Sequence, residues 1–490
     1  MRLIQNFRCV LLLFIGSLLT HQSSNAQPFT LQGPGVDTND FRVTVFASGL
    51  NFPLGMATLS DGSLLVTLVQ NSSLFGGTTP GQLVRFTDLD DNGVADGPGT
   101  ILYSNLPPSL TCVRVTDNLV FVTCPPHPIH VLHLGGSPDS DLTLAGRLII
   151  TYPGSWTQHQ HSELGVRKTP GFTNHYELYF QTGAEANYAT TTNTASLTNE
   201  NIPGAAGTMA GDSIHRITII DEGISLRATN LTQVASGVRN PAGFAFQQAT
   251  GDFYFADNGI DGLINGNEPF SADELNYIAR TNLGGPVEFF GFPSNYISYR
   301  TNTFEGSAGI APLIAFQPLP DPFTGHESEG ANQIAFAPPG FPDGLNSGIF
   351  IGFHGKFSLG GTANEENPLV YADPTTGSYF HFIEGQQTGI GHLDGLLATR
   401  DSLFVADMVT TGNPSSGAGA GVIYQIKSLV TPTPPLLTIH STNTAVELNW
   451  ERATLQEADE AAGPWTDSID AFSPLLLQPT DNRKFYRAMY

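Results

Sequence analysis

Short apolar runs alternate with polar, glycine-rich turns along almost the whole chain, and few stretches keep the three-to-four-residue spacing of an amphipathic helix. One degenerate phrase recurs: a glycine or polar residue, a short apolar run, a turn, then a β-rich run. It is found at Gly49 to Thr67, Leu106 to Pro125, His161 to Gly183, Gly237 to Asp257, Gly330 to Gly352 and Gly391 to Asp407. Such a phrase describes two adjacent strands joined by a tight turn, and radial repetition of that unit protects sheet edges. The pattern therefore predicts an all-β chain built as a six-bladed β-propeller; an array of sandwiches would give strands without the repeated phrase. Spacing between phrases is uneven, with long inserts around Thr190 to Thr208 and Asn258 to Phe323, the kind that decorate a functional face.

Composition shifts at Val430-Thr-Pro-Thr-Pro-Pro435, which suits a stiff linker. Beyond it, Leu436 to His440, Ala445 to Trp450 and Lys484 to Tyr490 alternate as strands, so residues 436–490 are expected to form a small C-terminal β-sandwich-like module. At that size it is near the lower limit of independent stability and is expected to dock on the propeller, residues 27–429, for adhesion, anchoring or packing.

At the other end, Met1 to Arg8 carries two arginines and Cys9 to Leu19 is apolar but too short to span a bilayer. Residues 1–26 read as a signal peptide ending in Ser24-Asn25-Ala26, and export to the periplasm or the exterior is expected, without membrane insertion. A formal net charge of −24 argues against nucleic acid as a partner and suits a protein that holds hard cations, calcium foremost.

Two cysteines remain after the leader. Cys112 and Cys124 lie at equal distance from Asn118 across the Asp117-Asn118 turn, so the two face each other in a hairpin and could form a cross-strand disulfide; two buried free thiols are the alternative. Asp88, Asp90, Asn92 and Asp96, with Gly93 for the sharp turn and the Val94 carbonyl, have the spacing of a calcium loop. Gly99 stands where a bidentate Glu would complete it, so the site would borrow a distant ligand. The alternative is an Asx-rich blade turn.

Gly237-Val-Arg-Asn-Pro-Ala-Gly243, Ala256-Asp-Asn-Gly-Ile-Asp-Gly262, Ser271-Ala-Asp-Glu-Leu-Asn276 and Gly291-Phe-Pro293 follow one another along the chain. Together they resemble the soluble PQQ-dependent glucose/sorbosone dehydrogenase family of six-bladed propellers, over roughly Phe41 to Lys427. The resemblance implies that His161 is the catalytic base, although Gln160 precedes it where the family usually has Asp; Glu163 or Glu185 would then orient the imidazole. Arg239 and Asn240 match the pair that holds the quinone, Lys356 matches a lysine on the cofactor, and Glu185 is grouped with them. Gly259 and Ile260 match the two carbonyls that hold the active-site calcium; Asp273 and Glu274, read from the residues, form either a structural calcium site or a solvated loop. The family grips its cofactor with further arginines on the last blades, but here that stretch reads Gly391-His-Leu-Asp-Gly395. Each charge-assisted hydrogen bond so lost costs about 1.5–3 kcal/mol of cofactor binding.

The implied function is an exported oxidoreductase that oxidises an aldose or related polyol with PQQ and calcium and passes electrons to an external acceptor. Two other functions fit the sequence: a noncatalytic propeller binding glycans or a protein, and a calcium-dependent lactone hydrolase, which rests on fold analogy.

Overall fold

The computed structural model describes residues 27–261, 268–299, 301–317, 330–355, 368–383, 387–441, 445–468, 471–478 and 483–490. The leader and Lys356 lie outside the described residues.

Each recurrent phrase of the sequence becomes the inner hairpin of a sheet, and six such sheets form the ring of a β-propeller. Blade 1 runs outward through Met56–Thr58, Leu64–Leu68, Gly81–Phe86 and Thr100–Leu106. Blade 2 comprises Cys112–Thr116, Leu119–Cys124, His127–His133 and Thr143–Thr151. Its outer edge is covered by Thr194–Glu200 and Gly207–Ala210, so the insert near Thr190 to Thr208 is a hairpin that caps an edge. Blade 3 has Leu164–Lys168, His175–Thr182, Ser213–Asp221 and Leu226–Ser236, with Glu288–Phe289 added in parallel. Blade 4 has Pro241–Phe246, Phe253–Asp257, Asp273–Ile278 and Ile314–Phe316. Blade 5 has Ala331–Phe336, Ile349–Phe353, Leu369–Asp373 and Ser378–Ile383.

Blade 6 closes the ring. Its inner strands Gly395–Ala398, Ser402–Asp407 and Gly421–Ser428 receive Phe41–Leu50 as the outermost strand, in antiparallel register from Phe41 opposite Ser428 to Leu50 opposite Gly421. The N-terminal and C-terminal ends of the propeller are thus hydrogen-bonded in one sheet.

An apolar cluster fills every interface between successive blades. Phe121, Trp156 and Phe180 belong to the one between blades 2 and 3, Phe46, Phe86 and Phe404 to the one that joins blades 1 and 6. Around the axis the inner strands approach backbone to backbone. A Cβ on Gly243 would lie 2.2 Å from the Asn332 carbonyl oxygen, and one on Gly395 2.3 Å from that of Leu54, so glycine sets how narrow the ring can be.

Beyond the propeller, two three-stranded sheets stack. Leu437–Ser441, Val446–Trp450 and Leu475–Leu477 form one; Thr466–Asp467, Thr454–Ala458 and Phe485–Met489 form the other. Their core of Leu448, Trp450 and Leu455 includes Ala249 from the blade 4 turn, and Ser473 N–H donates to the Ala249 carbonyl at 2.8 Å. The module is therefore docked on the propeller through shared apolar surface.

The expected disulfide is not formed: Cys112 and Cys124 are free and buried. The turn pairs Thr116 with Leu119, so the hairpin axis falls between Asp117 and Asn118, and Cys112 pairs with Thr123. One residue of register turns the two thiols to opposite faces of the sheet, Cys112 toward blade 3 and Cys124 toward blade 1.

Among the described residues, no helix is long and apolar enough to cross a membrane.

Candidate functional site

The loops that enter the inner strands enclose a cavity of about 490 Å³ on the propeller axis, with wall residues from all six blades. The wall mixes apolar residues, Leu54, Leu74, Phe75, Ala242 and Met408 among them, with the polar, uncharged side chains of Thr111, Gln160, Asn240, Asn258 and Asn332. His127, His159 and His354 also line it.

His159 is held by a backbone lattice that ties it to the Arg-Asn-Pro segment. Its φ is +48°, a conformation non-glycine residues seldom adopt. Gly183 N–H donates to the His159 carbonyl at 3.0 Å, and Ala184 N–H donates to the Arg239 carbonyl at 2.7 Å. The imidazole Nδ1 lies 2.9 Å from the Ala184 carbonyl, which makes Nδ1 the protonated nitrogen and leaves Nε2 as an acceptor. Burial, then the charge of Arg239, pushes its pKa down to about 3, so the ring is neutral.

His161, expected as the base, is placed differently. It is fully buried beneath the cavity, stacked on Tyr152, with Nε2 at 2.7 Å from the His127 carbonyl and Nδ1 at 3.0 Å from the Tyr152 hydroxyl. Both nitrogens are engaged, and desolvation pushes its pKa down to about 4. It pins three loops together and has no nitrogen left to take a substrate proton. Of the two histidines, His159 is the one that lines the cavity.

Arg239 is also behind the wall. Its guanidinium donates to the Asn187 side chain and to Asp261 at 2.7 Å each, and its Nε donates to the Asn187 carbonyl at 3.1 Å. Asn240 does face the cavity, and its amide donates to Asn258 Oδ1 at 2.8 Å. Asp257 holds this corner from below by accepting the backbone N–H groups of Arg239 and Asn240.

Gly259 and Ile260 line a separate chamber of about 20 Å³ behind Asn258, together with Asp257 and Glu274. The Gly259 N–H donates to Asp273 at 2.7 Å, and the Ile260 carbonyl accepts from Ser271 N–H at 3.1 Å. Asp273 and Glu274 alternate along one strand and so point to opposite faces of blade 4. Burial, with the neighbouring Asp257 charge next in size, raises Glu274 to about 8; burial raises Asp257 to about 7, and Asp273 is raised too. Glu185 receives both its contacts from the Asn193 amide, away from the cavity wall. The described wall contains no Lys or Arg.

In the loop from Asp88 to Asp96, the oxygens turn inward on the loop itself. Asp88 accepts the N–H groups of Asn92 and Gly93, Asn92 Oδ1 accepts Val94 N–H, and Asp96 accepts Leu89 N–H. Asp90 accepts from the Asn92 side chain. The loop lies against Arg42, Thr44 and Lys427 on the seam between blades 1 and 6, distant from the cavity. Among the described residues, no group of three or more His, Cys, Asp or Glu converges as a metal cluster.

Two of the wall residues, His159 and Asp394, are ones that sequence reasoning did not single out. His159 was one of two histidines in His159-Gln-His161. Asp394 follows His392 in the stretch where cationic residues were expected. Its Oδ1 accepts from Asn332 at 2.8 Å, while Oδ2 is buried with no hydrogen-bond partner.

No family model matches the chain. An uncharacterized protein of Borreliella burgdorferi is 31% identical over 159 residues, 30% of this chain and 35% of that protein, so the chain spans about a third of the length of the curated relative it matches. Among solved structures, the calcium structure of a Trichoderma reesei carbohydrate-active enzyme of family AA12 is similar with a TM-score of 0.50. It is 15% identical and covers 83% of this chain and 99% of that one. The PQQ-bound aldose sugar dehydrogenase of Streptomyces coelicolor has a TM-score of 0.49 at 17% identity, covering 79% and 98%. The PQQ domain of Coprinopsis cinerea pyranose dehydrogenase has 0.49 at 14% identity, covering 82% and 98%. At such identities the likeness is one of fold.

Proposed function

We propose that the chain is an exported, carbohydrate-acting propeller of the oxidoreductase kind, whose axial cavity holds an aldose or related polyol. The observation that carries this reading is His159: a neutral imidazole, fixed at Nδ1, leaves an unprotonated Nε2 at a cavity whose apolar wall is interrupted by the amides of Gln160, Asn240, Asn258 and Asn332. The amides exchange hydrogen bonds with a polyol, and such a nitrogen accepts a hydrogen bond from a sugar hydroxyl. The similar fold of the carbohydrate-active AA12 enzyme supports the same substrate class.

PQQ, the hydride acceptor implied by the resemblance, carries three carboxylates. The described wall does not fit it: none of its described residues is Lys or Arg, and Arg239 is tied to Asp261. Calcium fits better, at the chamber behind Asn258, where Asp257 and Glu274 meet in a space for one ion and burial disfavours their charges without a cation.

The neutral wall favours a second reading, glycan binding without catalysis. Dye-linked oxidation of aldoses by the full chain, with calcium and with or without added PQQ, separates the two. Turnover that disappears in His159→Gln supports the enzyme. Sugar binding by calorimetry without turnover under either condition supports the binding module, and the absence of both overturns the carbohydrate reading.

A further inference from the structure

The propeller axis carries two cavities. Leu54, Ala242, Asn332 and Asp394 stand in the wall of the axial cavity; two residues further along the same chain segments, Met56, Phe244, Ile334 and Leu396 line a second cavity of about 570 Å³ toward the opposite face. No described residue lines both. The residues that separate these pairs are Gly55, Gly243 and Gly395 in blades 1, 4 and 6, but Gln333 in blade 5. The glycines let neighbouring backbones close in: a Cβ on Gly55 would lie 2.7 Å from the Val113 nitrogen. Gln333 fills the space that remains. It is fully buried and sits where three residue steps of its strand, Ala331 to Ile334, face two of the partner, Phe353 to Ile351, a bulge of the kind that re-aims a side chain. Its Nε2 donates to the Thr111 carbonyl at the entry of blade 2 at 3.4 Å, and its Oε1 accepts the Leu396 N–H of blade 6 at 3.2 Å. Blades 2 and 5 are opposite members of a six-bladed ring, so this side chain crosses the axis.

We infer that Gln333 is the septum of the propeller, a positioning residue that closes the axial cavity from below and ties its wall residues in three blades to one another. Asn332 is its chain neighbour, Thr111 accepts its side-chain amide, and the Asp394 carbonyl accepts its backbone N–H at 3.2 Å. Glutamine suits the place because a single terminal amide offers a donor to one blade and an acceptor to another across the ring. Ligand exchange is thereby confined to the face that carries His159, and solvent in the lower cavity is kept from the site. The division of the axis holds whatever the ligand is.

Amide hydrogen exchange on the full chain, with Gln333→Ala and Gln333→Met beside the parent, tests it. In Gln333→Ala, residues 111–115 and 395–398, which belong to blades 2 and 6, should both exchange at least about tenfold faster, while Phe41–Leu50 at the outer edge of blade 6 stays within about twofold. Methionine spans the gap without an amide. In Gln333→Met, 395–398 should still speed up, because the Leu396 N–H has lost its acceptor, whereas 111–115 should return to within about twofold of the parent. Gln333→Cys shortens the septum and puts a thiol on the axis; a small methanethiosulfonate reagent should label it in the folded chain, where Cys112 and Cys124 are buried. Unchanged exchange in Gln333→Ala, or an increase spread evenly over all blades, overturns the septum. So does unchanged exchange at 395–398 in Gln333→Met, which keeps the volume in place if the alanine variant folds poorly, or an introduced thiol no more reactive than Cys112.

Discussion

His159 and His161 stand two residues apart on one loop, yet only His159 reaches the axial cavity, while His161 spends both ring nitrogens on the His127 carbonyl and the Tyr152 hydroxyl. The left-handed backbone at His159 turns its ring away from its neighbour and onto the Ala184 carbonyl. One histidine is thereby available to a ligand, and the other locks the loops that form the floor.

Replacing the two should therefore give opposite signatures. His159→Gln is expected to reduce sugar turnover at least about a hundredfold with little change in melting temperature, because the ring's removable function is proton acceptance. His161→Ala removes two buried hydrogen bonds and a stacked ring and should cost on the order of 2–3 kcal/mol of stability. Urea unfolding and initial rates on the same preparations distinguish these outcomes; equal loss of stability in both variants would contradict the assignment.

The pH dependence follows from the same residue. With its pKa pushed down to about 3, His159 stays neutral far below the usual imidazole range. The rate should therefore show no acid limb from imidazole protonation between about pH 5 and about pH 8. An acid limb near pH 6.5 that vanishes in His159→Gln would show that the ring titrates normally and that Arg239 and burial do not hold it neutral.

Much of the propeller was legible because its repeat is local: each inner hairpin is written in one contiguous phrase, from Gly49 to Thr67 through Gly391 to Asp407, and closing the ring needs only that such units pack. Properties that depend on one residue of register or on tertiary surroundings were not. The cysteines looked symmetric about Asn118, but the two-residue turn placed the axis beside it. The oxygen-rich run from Asp88 to Asp96 has the spacing of a metal loop and of an Asx-rich turn alike, and its side chains accept their own backbone amides, a feature that spacing does not display.

Glu274 and Asp257 make stability depend on pH in a definite direction. Both are carboxyls whose folded pKa values are raised, to about 8 and about 7, so the folded state retains protons that the unfolded chain releases. Their contribution is fully present below the unfolded value near 4 and is lost as pH rises through about 7 to 8. Comparing Glu274→Gln with the parent cancels the other titrating groups: the variant should gain relative stability between about pH 5 and about pH 8, on the order of 2 kcal/mol. Added calcium should stabilise the parent at about pH 8 and the variant much less. A stability difference that is flat with pH, or calcium stabilisation unchanged by the substitution, would remove the chamber as a cation site.

The two free thiols should be silent in the folded protein. Both are fully buried, and desolvation raises their pKa values, which disfavours the reactive thiolate. Thiol reagent is expected to label neither Cys112 nor Cys124 until the chain is unfolded, when both react, and reductant should leave the melting temperature unchanged. A fall in melting temperature with reductant would mean that the register had shifted to bring them together.

The C-terminal module should depend on the propeller more than the propeller depends on it. Its core holds few fully buried side chains, among them Leu448, Trp450 and Leu455, and it borrows Ala249 from blade 4 to cover Trp450. Arg280 of the propeller stacks 4.5 Å over Phe472, and Arg452 donates to the Asn346 carbonyl at 3.2 Å. A unit this small has little stability to lose, so Trp450→Ala, which removes about 3–5 kcal/mol of buried contact, should unfold the module while leaving the ring closed by Phe41–Leu50. Limited proteolysis should then release a fragment ending near the proline-rich segment, and that fragment should still bind sugar, because every described wall residue of the axial cavity precedes it. Loss of sugar binding in the released fragment would instead place the module in the machinery of the site.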